Sequence, residues 1–425
     1  MRLIAKKFII QSLLDKSFAV APRSGPTAAF QQVKVEAENG QVSVTGSDGE
    51  ISLIARTTQV DIEEEGEVLF PSKVHDIIKL CADEDITLWT DEGIIKVESE
   101  GAHWEVVCEN IEYPDIMEDA DDSVQISKEL MLQSLNRCRP AIDSDNIRAS
   151  FAFVQISDGY MRATDGNKFG QMEFPADLEL LIPSRALQEI IRLLRGMALE
   201  DVGVGQNPRC HIFNFDHDTL IVSKHIVDYP DVKTAMLDPA LENDQRLSVN
   251  RRQFIDAVKR VGLVADEDTC FLKLDIGDGK LHIASLDKFG NNAYEDLEIH
   301  WEGEDRSIGV NHNNLIDVLS STTGGEIIMT LGEDEGSKLS SLCFLNDEFT
   351  GVLMQLRPDL GKAMEGSDRV RAAQIEPVGW GARGQTADAV DEEGGNRARR
   401  RARQAEEELP EMEVDAEDVD ESILE

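Results

Sequence analysis

The stretch Ser157–Phe174, SDGYMRATDGNKFGQMEF, predicts two short strands that meet at a sharp corner. Asp158-Gly159 stands between alternating apolar residues, which is the pattern of a two-residue hairpin turn. In Thr164-Asp165-Gly166 the glycine can adopt a positive φ, and the aspartate can hydrogen-bond to its own backbone. Such a corner would hold three side chains outward as a rigid polar and aromatic surface: Asn167, Lys168 and Phe169. Taken alone, the stretch predicts an ordinary hairpin corner, because it contains no nucleophile–base pair and no metal-ligand spacing.

The same pattern occurs three times along the chain of 425 residues. Asn39-Gly40, Asp158-Gly159 and Asp278-Gly279 each begin a short strand, and their glycines are spaced 119 and 120 residues apart. Each strand runs into an aspartate: Asp48, Asp165 or Asp287. This period is too long for a solenoid repeat and suits a whole small domain.

Two further landmarks occur with the same period. Pro71-Ser72-Lys73 and Pro183-Ser184-Arg185 each open an apolar-periodic segment, and Gly309-Val310-Asn311-His312 stands in the same place in the third copy. Tyr113-Pro114-Asp115 and Tyr229-Pro230-Asp231 close the first two copies. We therefore predict three similar domains, 1–120, 121–245 and 246–360, followed by a tail at 361–425.

Apolar periodicity predicts two helices in each copy, separated by antiparallel strands. We expect an α+β fold in which each domain has two α/β half-units, with helices on one face of the sheets. The acidic run at 61–67 is expected to form a turn, and 118–122 and 233–245 to form linkers. The predicted helices are 5–17, 72–82, 127–139, 184–196, 250–262 and 311–322.

The tail at 361–425 lacks periodicity and is rich in Gly, Ala, Arg, Asp and Glu. Such a composition cannot bury enough apolar surface to order itself, so we predict a disordered tail. Its basic cluster at 397–403 precedes a strongly acidic end. That cluster could contact DNA or pair with the acidic end, and both interpretations stay open.

Cysteine usage and hydropathy predict a cytoplasmic protein without a cofactor. The six cysteines contain no CxxC pair and stand mostly among apolar residues, which favours buried free thiols. We find no run of 18 apolar residues and no signal-peptide pattern, and we expect no membrane partner and no metal. The cysteines are Cys81, Cys108, Cys138, Cys210, Cys270 and Cys343.

Charge is distributed unevenly along the chain. The net charge is −41, which taken whole argues against binding to nucleic acid. The six predicted helices nevertheless carry a net charge of +9, although helices also tolerate Lys and Arg for purely structural reasons. If the helices share one face of an assembly, that face is basic and would attract phosphates. Nothing in the sequence predicts base recognition, so contact with DNA would be independent of base sequence.

The segment ATDGNKF at 163–169 resembles a characteristic segment of the bacterial β sliding clamps, the processivity subunit of the replicative DNA polymerase. The two Tyr-Pro-Asp corners, the two Pro-Ser-basic helix starts and Val352–Arg357 fit the same family, from residue 1 to about 360. The resemblance implies a head-to-tail homodimeric ring with helices lining the hole and sheets outside. It further implies a non-catalytic protein that encircles double-stranded DNA. Its implied partners are the polymerase, a clamp loader and other proteins with short clamp-binding peptides.

The resemblance also implies three sets of functional residues. In the family, Gln/Leu/Phe-type peptides bind a pocket between the second and third domains, although each matched residue could equally belong to the core. The matching positions here are Phe151, Thr164, Gly166, Asn167, Lys168, Phe169, Pro230, Val352, Met354, Gln355, Leu356 and Arg357. The residues expected to face DNA are Arg137, Arg148, Arg185, Arg192, Arg195, Arg252 and Lys259. The residues expected at the dimer interface are Trp104, Leu263 and Val264.

Several positions depart from the family pattern. Asn167-Lys168 replaces the usual His-Arg, and Lys lacks the planar fork of Arg. Gln355 replaces a usual proline, and the chain continues for 68 residues beyond Arg357. Lys96 and His103 stand where the family has interface arginines.

Two other functions compete with the clamp. A metal-dependent hydrolase could use Asp143, Asp145 and Asp165, although these acids lie where turns favour aspartate. A clamp-like decoy or scaffold could bind replication proteins without loading on DNA. Metal-dependent activity lost with Asp165 would favour the first, and failure to load on nicked circles would favour the second.

Overall fold

The computed structural model describes residues 1–82, 84–109, 111–142, 149–333, 340–346 and 348–356. Within these ranges the chain forms the predicted α+β fold, with antiparallel sheets and helices packed on them. The expectations for Asp143, Asp145, Arg148, Arg357 and the tail at 361–425 lie outside the described residues.

One unit, a strand that leads into a helix followed by three strands, recurs along the described chain. It occurs twice in the first copy, with a short extra strand, β5, between the two occurrences. The elements are β1 (Arg2–Lys6), α1 (Lys7–Val20), β2 (Gln32–Glu38), β3 (Gln41–Ser47), β4 (Ile51–Thr57), β5 (Asp61–Glu64), β6 (Gly66–Pro71), α2 (Ser72–Leu80), β7 (Asp85–Asp91), β8 (Ile94–Ser99) and β9 (Ala102–Val107).

The second copy repeats the unit twice more. Its elements are β10 (Asp122–Ser127), α3 (Lys128–Cys138), β11 (Phe153–Ser157), β12 (Tyr160–Thr164), β13 (Lys168–Glu173), β14 (Leu180–Pro183), α4 (Ser184–Gly196), β15 (Asp201–Gln206), β16 (Cys210–Phe215) and β17 (Asp218–Ser223). A π-helical turn, Lys233–Leu237, and the short helix α5 (Asp238–Leu241) then lead to the third copy.

The third copy has the same two units, with one short extra strand, β22. Its elements are β18 (Gln245–Asn250), α6 (Arg251–Gly262), β19 (Phe271–Gly277), β20 (Lys280–Leu286), β21 (Asn292–Glu298), β22 (His300–Glu302), β23 (Arg306–Asn311), α7 (His312–Ser321), β24 (Glu326–Leu331), β25 (Ser341–Leu345) and β26 (Phe349–Met354).

Two sheets are shared between neighbouring copies. An eight-stranded sheet joins the first and second copies where β4 pairs with β17, and a nine-stranded sheet joins the second and third where β13 pairs with β26. The core of the second copy correspondingly includes Ile51 and Leu53 from the first copy and Phe349 from the third. Both junctions are therefore packed like the interior of a single domain.

The predicted hairpin turns and corners are confirmed. Asn39-Gly40, Asp158-Gly159 and Asp278-Gly279 have positive φ at both residues, as a tight two-residue hairpin turn requires. At each of the three corners the aspartate Oδ1 accepts two backbone N–H groups; at Asp165 these come from Asn167 (2.8 Å) and Lys168 (2.9 Å). The aspartates therefore hold the turns, and this accounts for their recurrence.

The helices lie close to their predicted positions, and α4 occupies 184–196 as expected. Its buried face includes Leu187, Ile190, Ile191 and Leu194. Two of the helices begin at an asparagine cap: Asn250 accepts from the Gln253 N–H (3.0 Å), and Asn311 accepts from the Asn313 and Asn314 N–H groups.

Four structural expectations are wrong. The acidic run at 61–67 contains all of β5 and the start of β6, because β5 pairs with β1 and β6 pairs with β2. The first helix begins at Lys7, since residues 2–6 form β1 instead. The segment 233–245, expected to be a linker without secondary structure of its own, contains a π-helical turn and α5. The corner does not hold Lys168 and Phe169 outward, because their side chains turn into the junction with the third copy, where they are 7% and 0% exposed.

The cysteines partly follow the prediction. Cys81, Cys138 and Cys343 are buried free thiols, whereas Cys108, Cys210 and Cys270 are only partly buried. Among the described residues, no helix is both long and apolar enough to cross a membrane.

Candidate functional site

The junction between the second and third copies contains a small apolar cluster beside the Asp165 corner. Phe169 on β13 lies opposite Val352 on β26 in the shared sheet, and both side chains are fully buried. Cys343 on β25 joins them, and burial raises the pKa of its thiol to about 12. This thiol therefore stays protonated near neutral pH and serves as packing.

Polar contacts fix the corner against this cluster. Thr164 Oγ1 donates to the Lys168 carbonyl oxygen (2.7 Å), and the Met354 N–H donates to the Asn167 carbonyl oxygen (2.8 Å). The Lys168 ammonium forms an ion pair with Asp317 on α7 and lies 3.6 Å from an Asp165 carboxylate oxygen. The lysine thus links the second copy to the third across the junction.

The structure brings together only part of the predicted pocket. Thr164, Phe169 and Val352 meet in the junction, with Gly166 and Asn167 at its rim and Met354 36% exposed beside them. Pro230 is partly buried at the start of the segment that covers the cluster. Gln355 is buried and donates to Ser340 Oγ (3.0 Å), while Leu356 forms a backbone bridge with Gly309. Phe151 lies in a 3₁₀ turn, Ala149–Phe151, and is not a member of the cluster.

The residues that cover this cluster were not among those predicted from the sequence. Val232, Met236, Leu237 and Ala240 come from the π-helical turn, the residue before it and α5, and all are buried against Phe169, Cys343 and Val352. The spacing of Val232, Met236 and Ala240 by four residues is typical of one helical face and could have predicted them. The segment was instead expected to be a linker.

The junction between the first and second copies has a matching but smaller cluster. Ile54 on β4 packs with Ile212 on β16 and Ile221 on β17, and Ile116 and Ala120 cover them. The Tyr113 hydroxyl donates to the Thr45 carbonyl oxygen (3.3 Å), which ties the covering segment to β3. The two junctions are therefore built alike.

Two of the basic residues expected to face DNA also hold this first junction. Arg185 and Arg192 on α4 both pair with the buried Glu189. They also donate to carbonyl oxygens at the end of α1, Arg185 to Ala19 (3.1 Å) and Arg192 to Lys16 (3.4 Å). Their charge is thus partly balanced within the chain.

The remaining basic residues differ in exposure. Arg137 on α3 pairs with Glu348 and is largely buried. Arg195 donates to Asn136 Oδ1 (3.0 Å) at the surface, and Arg252 and Lys259 are exposed on α6. Arg195, Arg252 and Lys259 are the described members of this set best placed to meet phosphates in solution.

The residues expected at the dimer interface lie at the two ends of the sheet system. Trp104 is on β9, the edge strand of the five-stranded sheet that also contains β5, β1, β7 and β8. Leu263 and Val264 follow α6, which packs on β21, the edge strand of the four-stranded sheet. Leu263 is 84% exposed, and Leu80 at the end of α2, a residue not predicted from the sequence, is 85% exposed.

No group of three or more His, Cys, Asp or Glu side chains that could hold a metal ion occurs among the described residues. The carboxylate of Asp165 accepts the two N–H groups of its own turn and faces Lys168. Its geometry is that of a turn residue.

Comparison with known families and proteins gives a consistent result. The N-terminal domain of the DNA polymerase III beta subunit matches residues 3–116, and the C-terminal domain of the same subunit matches residues 239–356. A beta sliding clamp of Pseudomonas aeruginosa is 23% identical over 356 residues, covering 80% of this chain and 95% of that protein. A beta sliding clamp of Staphylococcus aureus is 25% identical over 348 residues, covering 76% and 90%.

Solved structures share the fold across the described copies. The DNA polymerase III subunit beta of Pseudomonas aeruginosa aligns with a TM-score of 0.77 at 20% identity, covering 84% of this chain and all of that one. A beta sliding clamp of Caulobacter crescentus aligns with a TM-score of 0.78 at 20% identity, covering 84% and 99%. The resemblance inferred from the sequence is confirmed: the chain belongs to the DNA polymerase III beta subunit family, the beta sliding clamps.

Proposed function

We propose that this protein is a non-catalytic DNA sliding clamp that encircles duplex DNA and tethers a replicative DNA polymerase to it. Family membership supports the function, and one structural observation supports the mechanism. That observation is the way in which successive copies pair their strands. The same pairing leaves one edge strand in the first copy and one in the third copy without a partner of this type within the described part of the chain.

The joining rule is simple. The last strand of the first unit in one copy pairs with the last strand of the second unit in the next copy, as in β4 with β17 and β13 with β26. Applied once more, the rule would pair β21 with the β9 of a second chain. Both strands are sheet edges, and an edge strand is a template for pairing with another chain. Two chains joined head to tail in this way would close a ring of six copies.

Helix contacts support the same arrangement. The buried positions Ile10, Leu13 and Leu14 of α1 correspond to Phe254, Ala257 and Val258 of α6, so Leu263 occupies the position of Ala19. In the same way, Val74 and Ile78 of α2 correspond to Ala186 and Ile190 of α4, which puts Leu80 at the position of Arg192.

Within the chain, Ala19 and Arg192 belong to the first junction, where α1 meets α4. Leu263 of one chain and Leu80 of another would therefore lie in the third junction, with Val264 and Trp104 beside them. In this third junction, Leu80 and Leu263 would take the place of the polar contacts that join α1 and α4 in the first junction. Burial of such side chains would help to hold the two chains together.

The proposed partners follow from this mechanism. Exposed basic residues on the helices would contact the phosphates of double-stranded DNA loosely, and the acidic remainder of the chain would repel DNA elsewhere. A clamp loader would open the ring, and polymerase and other partners would anchor apolar peptide side chains at the junction between the second and third copies. The protein would act in the cytoplasm, together with these partners. The family assignment does not favour the decoy.

Retention on circular DNA tests this function. Protein loaded onto a nicked circle by a clamp loader should stay bound at moderate salt and leave once the circle is cut, because a closed ring can only slide off an end. A variant that cannot close, Leu80→Glu with Leu263→Glu, should not be retained on the uncut circle. Wild-type protein that remains on cut DNA with free ends would contradict the sliding mechanism.

A further inference from the structure

We propose that Met236 fills the peptide site of the free protein and that a partner's apolar anchor residue binds by taking its place. This inference rests on the proposed function of the junction between the second and third copies. It goes further by naming the residue that decides how readily a peptide enters.

The apolar floor of the site is already covered. Phe169, Cys343 and Val352 are each 0% exposed, while Met236 and Leu237 are buried on top of them. Met354 is the member of the predicted pocket with an exposed apolar side chain, at 36%. A peptide can therefore bury an apolar anchor against this floor only if a covering side chain leaves.

Met236 is the covering residue most easily displaced. Its side chain is unbranched and flexible, so it can adopt another rotamer without a large steric cost. Its polar contact is weak, because its Sδ lies 3.5 Å from Thr164 Oγ1, which already donates to the Lys168 carbonyl oxygen at 2.7 Å. Thr164 therefore keeps its principal hydrogen bond when Met236 moves.

The backbone around Met236 is fixed at both ends and irregular between them. The Thr234 N–H donates to Asp231 Oδ1 (3.1 Å), and the Asn243 amide donates to the Thr330 and Ser341 carbonyl oxygens. Met236 lies between these anchors in the π-helical turn Lys233–Leu237, a rare conformation that occurs often at functional sites. The segment can thus move Met236 outward while its ends stay in place.

The first junction lacks this device. The segment between β9 and β10 spans residues 108–121, whereas that between β17 and β18 spans 224–244 and is seven residues longer. The described part of the shorter segment has no helical turn, and a groove of about 640 Å³ lies open beside it, lined by residues that include Tyr113 and Ile116. The longer segment at the second junction therefore contains the helical turns whose side chains cover Phe169, and the shorter segment at the first junction has no such turns among its described residues.

The test uses a fluorescein-labelled pentapeptide, Gln-Leu-Asp-Leu-Phe, and the full-length chain. If only the fraction of molecules with Met236 displaced can bind, the apparent Kd equals the intrinsic Kd divided by that fraction. Met236→Ala should then bind the peptide at least tenfold more tightly than wild type. Leu241→Ala, an exposed apolar change on α5 of the same segment, should leave the affinity unchanged.

A second measurement does not depend on the variant's fold. In wild-type protein with ¹³C-methyl methionine, the resonance of Met236, assigned from Met236→Leu, should move to a solvent-exposed shift as peptide is added. Equal affinity of wild type and Met236→Ala, or an unchanged Met236 resonance in the bound state, would overturn the inference and leave the site itself standing. Binding that survives Met354→Arg would move the peptide site elsewhere and overturn the inference with it, while retention on circles would still test the clamp.

Discussion

His211 is a buried imidazole whose ionisation is coupled to folding. It lies on β16 at 4% exposure, and its Nδ1 has no hydrogen-bond partner among the described residues. Burial, together with the nearby charges of Lys224 and His225, lowers the pKa of His211 to about 4. The folded state therefore holds this ring neutral at pH values where the unfolded chain would bind a proton.

A pH-dependent loss of stability follows. Because the folded pKa is depressed, the free energy of unfolding is unaffected by His211 above about pH 6.5 and falls as the pH drops toward 4. The loss attributable to this residue should reach about 3 kcal/mol near pH 4. Urea unfolding between pH 7 and 4 should show a shallower decline for His211→Gln than for wild type. His217→Gln, an exposed control, should keep the wild-type slope, and equal slopes for all three would contradict the coupling.

The sequence predicted the turn at Asp165 and Gly166 correctly, but it predicted the wrong direction for the side chains of Lys168 and Phe169. Asp165 and Gly166 had to form a turn, because aspartate and glycine favour that geometry within a few residues. The direction of Lys168 and Phe169 depends instead on Asp317 and Val352, which lie about 150 to 180 residues away along the chain. Their burial is set by a tertiary junction that no local pattern encodes.

Strands β9 and β21 and helices α2 and α6 contain the surfaces that the joining rule leaves free. In the proposed dimer, Leu80, Trp104, Leu263 and Val264 bury apolar area between chains. Truncating one such residue should cost about 2–4 kcal/mol of association free energy. A charge there should cost more, because it would be buried without a partner.

Light scattering after size-exclusion chromatography measures the oligomeric state of wild type and of each variant directly. Wild type should be a dimer at micromolar concentration, Trp104→Ala should shift toward monomer, and Leu80→Glu with Leu263→Glu should be monomeric. Leu241→Glu, which adds a charge at another exposed leucine, should remain dimeric. A monomeric wild type would refute the closed ring for the isolated protein.

At the scale of elements, the six long helices could be predicted because each has an apolar stripe with helical spacing. The strand that precedes each helix could not be predicted in the same way. β1 and β14 are only five and four residues long, and each runs directly into its helix. Pro183-Ser184 predicted the start of α4 but gave no sign of the strand before it. β1 is extended because it pairs with β7, about 80 residues later in the chain, and β14 is extended because it pairs with β11 of the preceding unit.

The charge of the whole molecule is divided between acidic surfaces and exposed basic residues on helices. Arg252 and Lys259 on α6 are exposed, whereas Arg185 and Arg192 are tied to Glu189 and α1. Glutamate at Arg185 or Arg192 would therefore disturb the first junction as well as any contact with DNA. Arg252 and Lys259 give the cleaner test of DNA contact.

Replacing Arg252 and Lys259 with glutamate should weaken direct DNA binding and reduce its salt dependence, because fewer counterions are released. Fluorescence anisotropy with duplexes of two unrelated sequences, over a range of salt, measures both effects and should show no base preference. The matched control replaces Lys273 and Lys288, which lie on β19 and in the β20–β21 turn, with glutamate. Equal weakening by both pairs would indicate a general charge effect and contradict a DNA-facing helix surface.

The shared sheets determine which interface of such a ring would separate first when the ring is pulled open. Separating β4 from β17, or β13 from β26, breaks backbone hydrogen bonds and exposes Ile51, Leu53 or Phe349, so that failure there amounts to partial unfolding. The seam between two chains would be held by an edge-strand pair and a few leucine contacts, with no covalent connection across it. A clamp loader that opens the ring would therefore separate it most easily at the interface between the two chains. The ring could open and close there repeatedly while each chain stays folded.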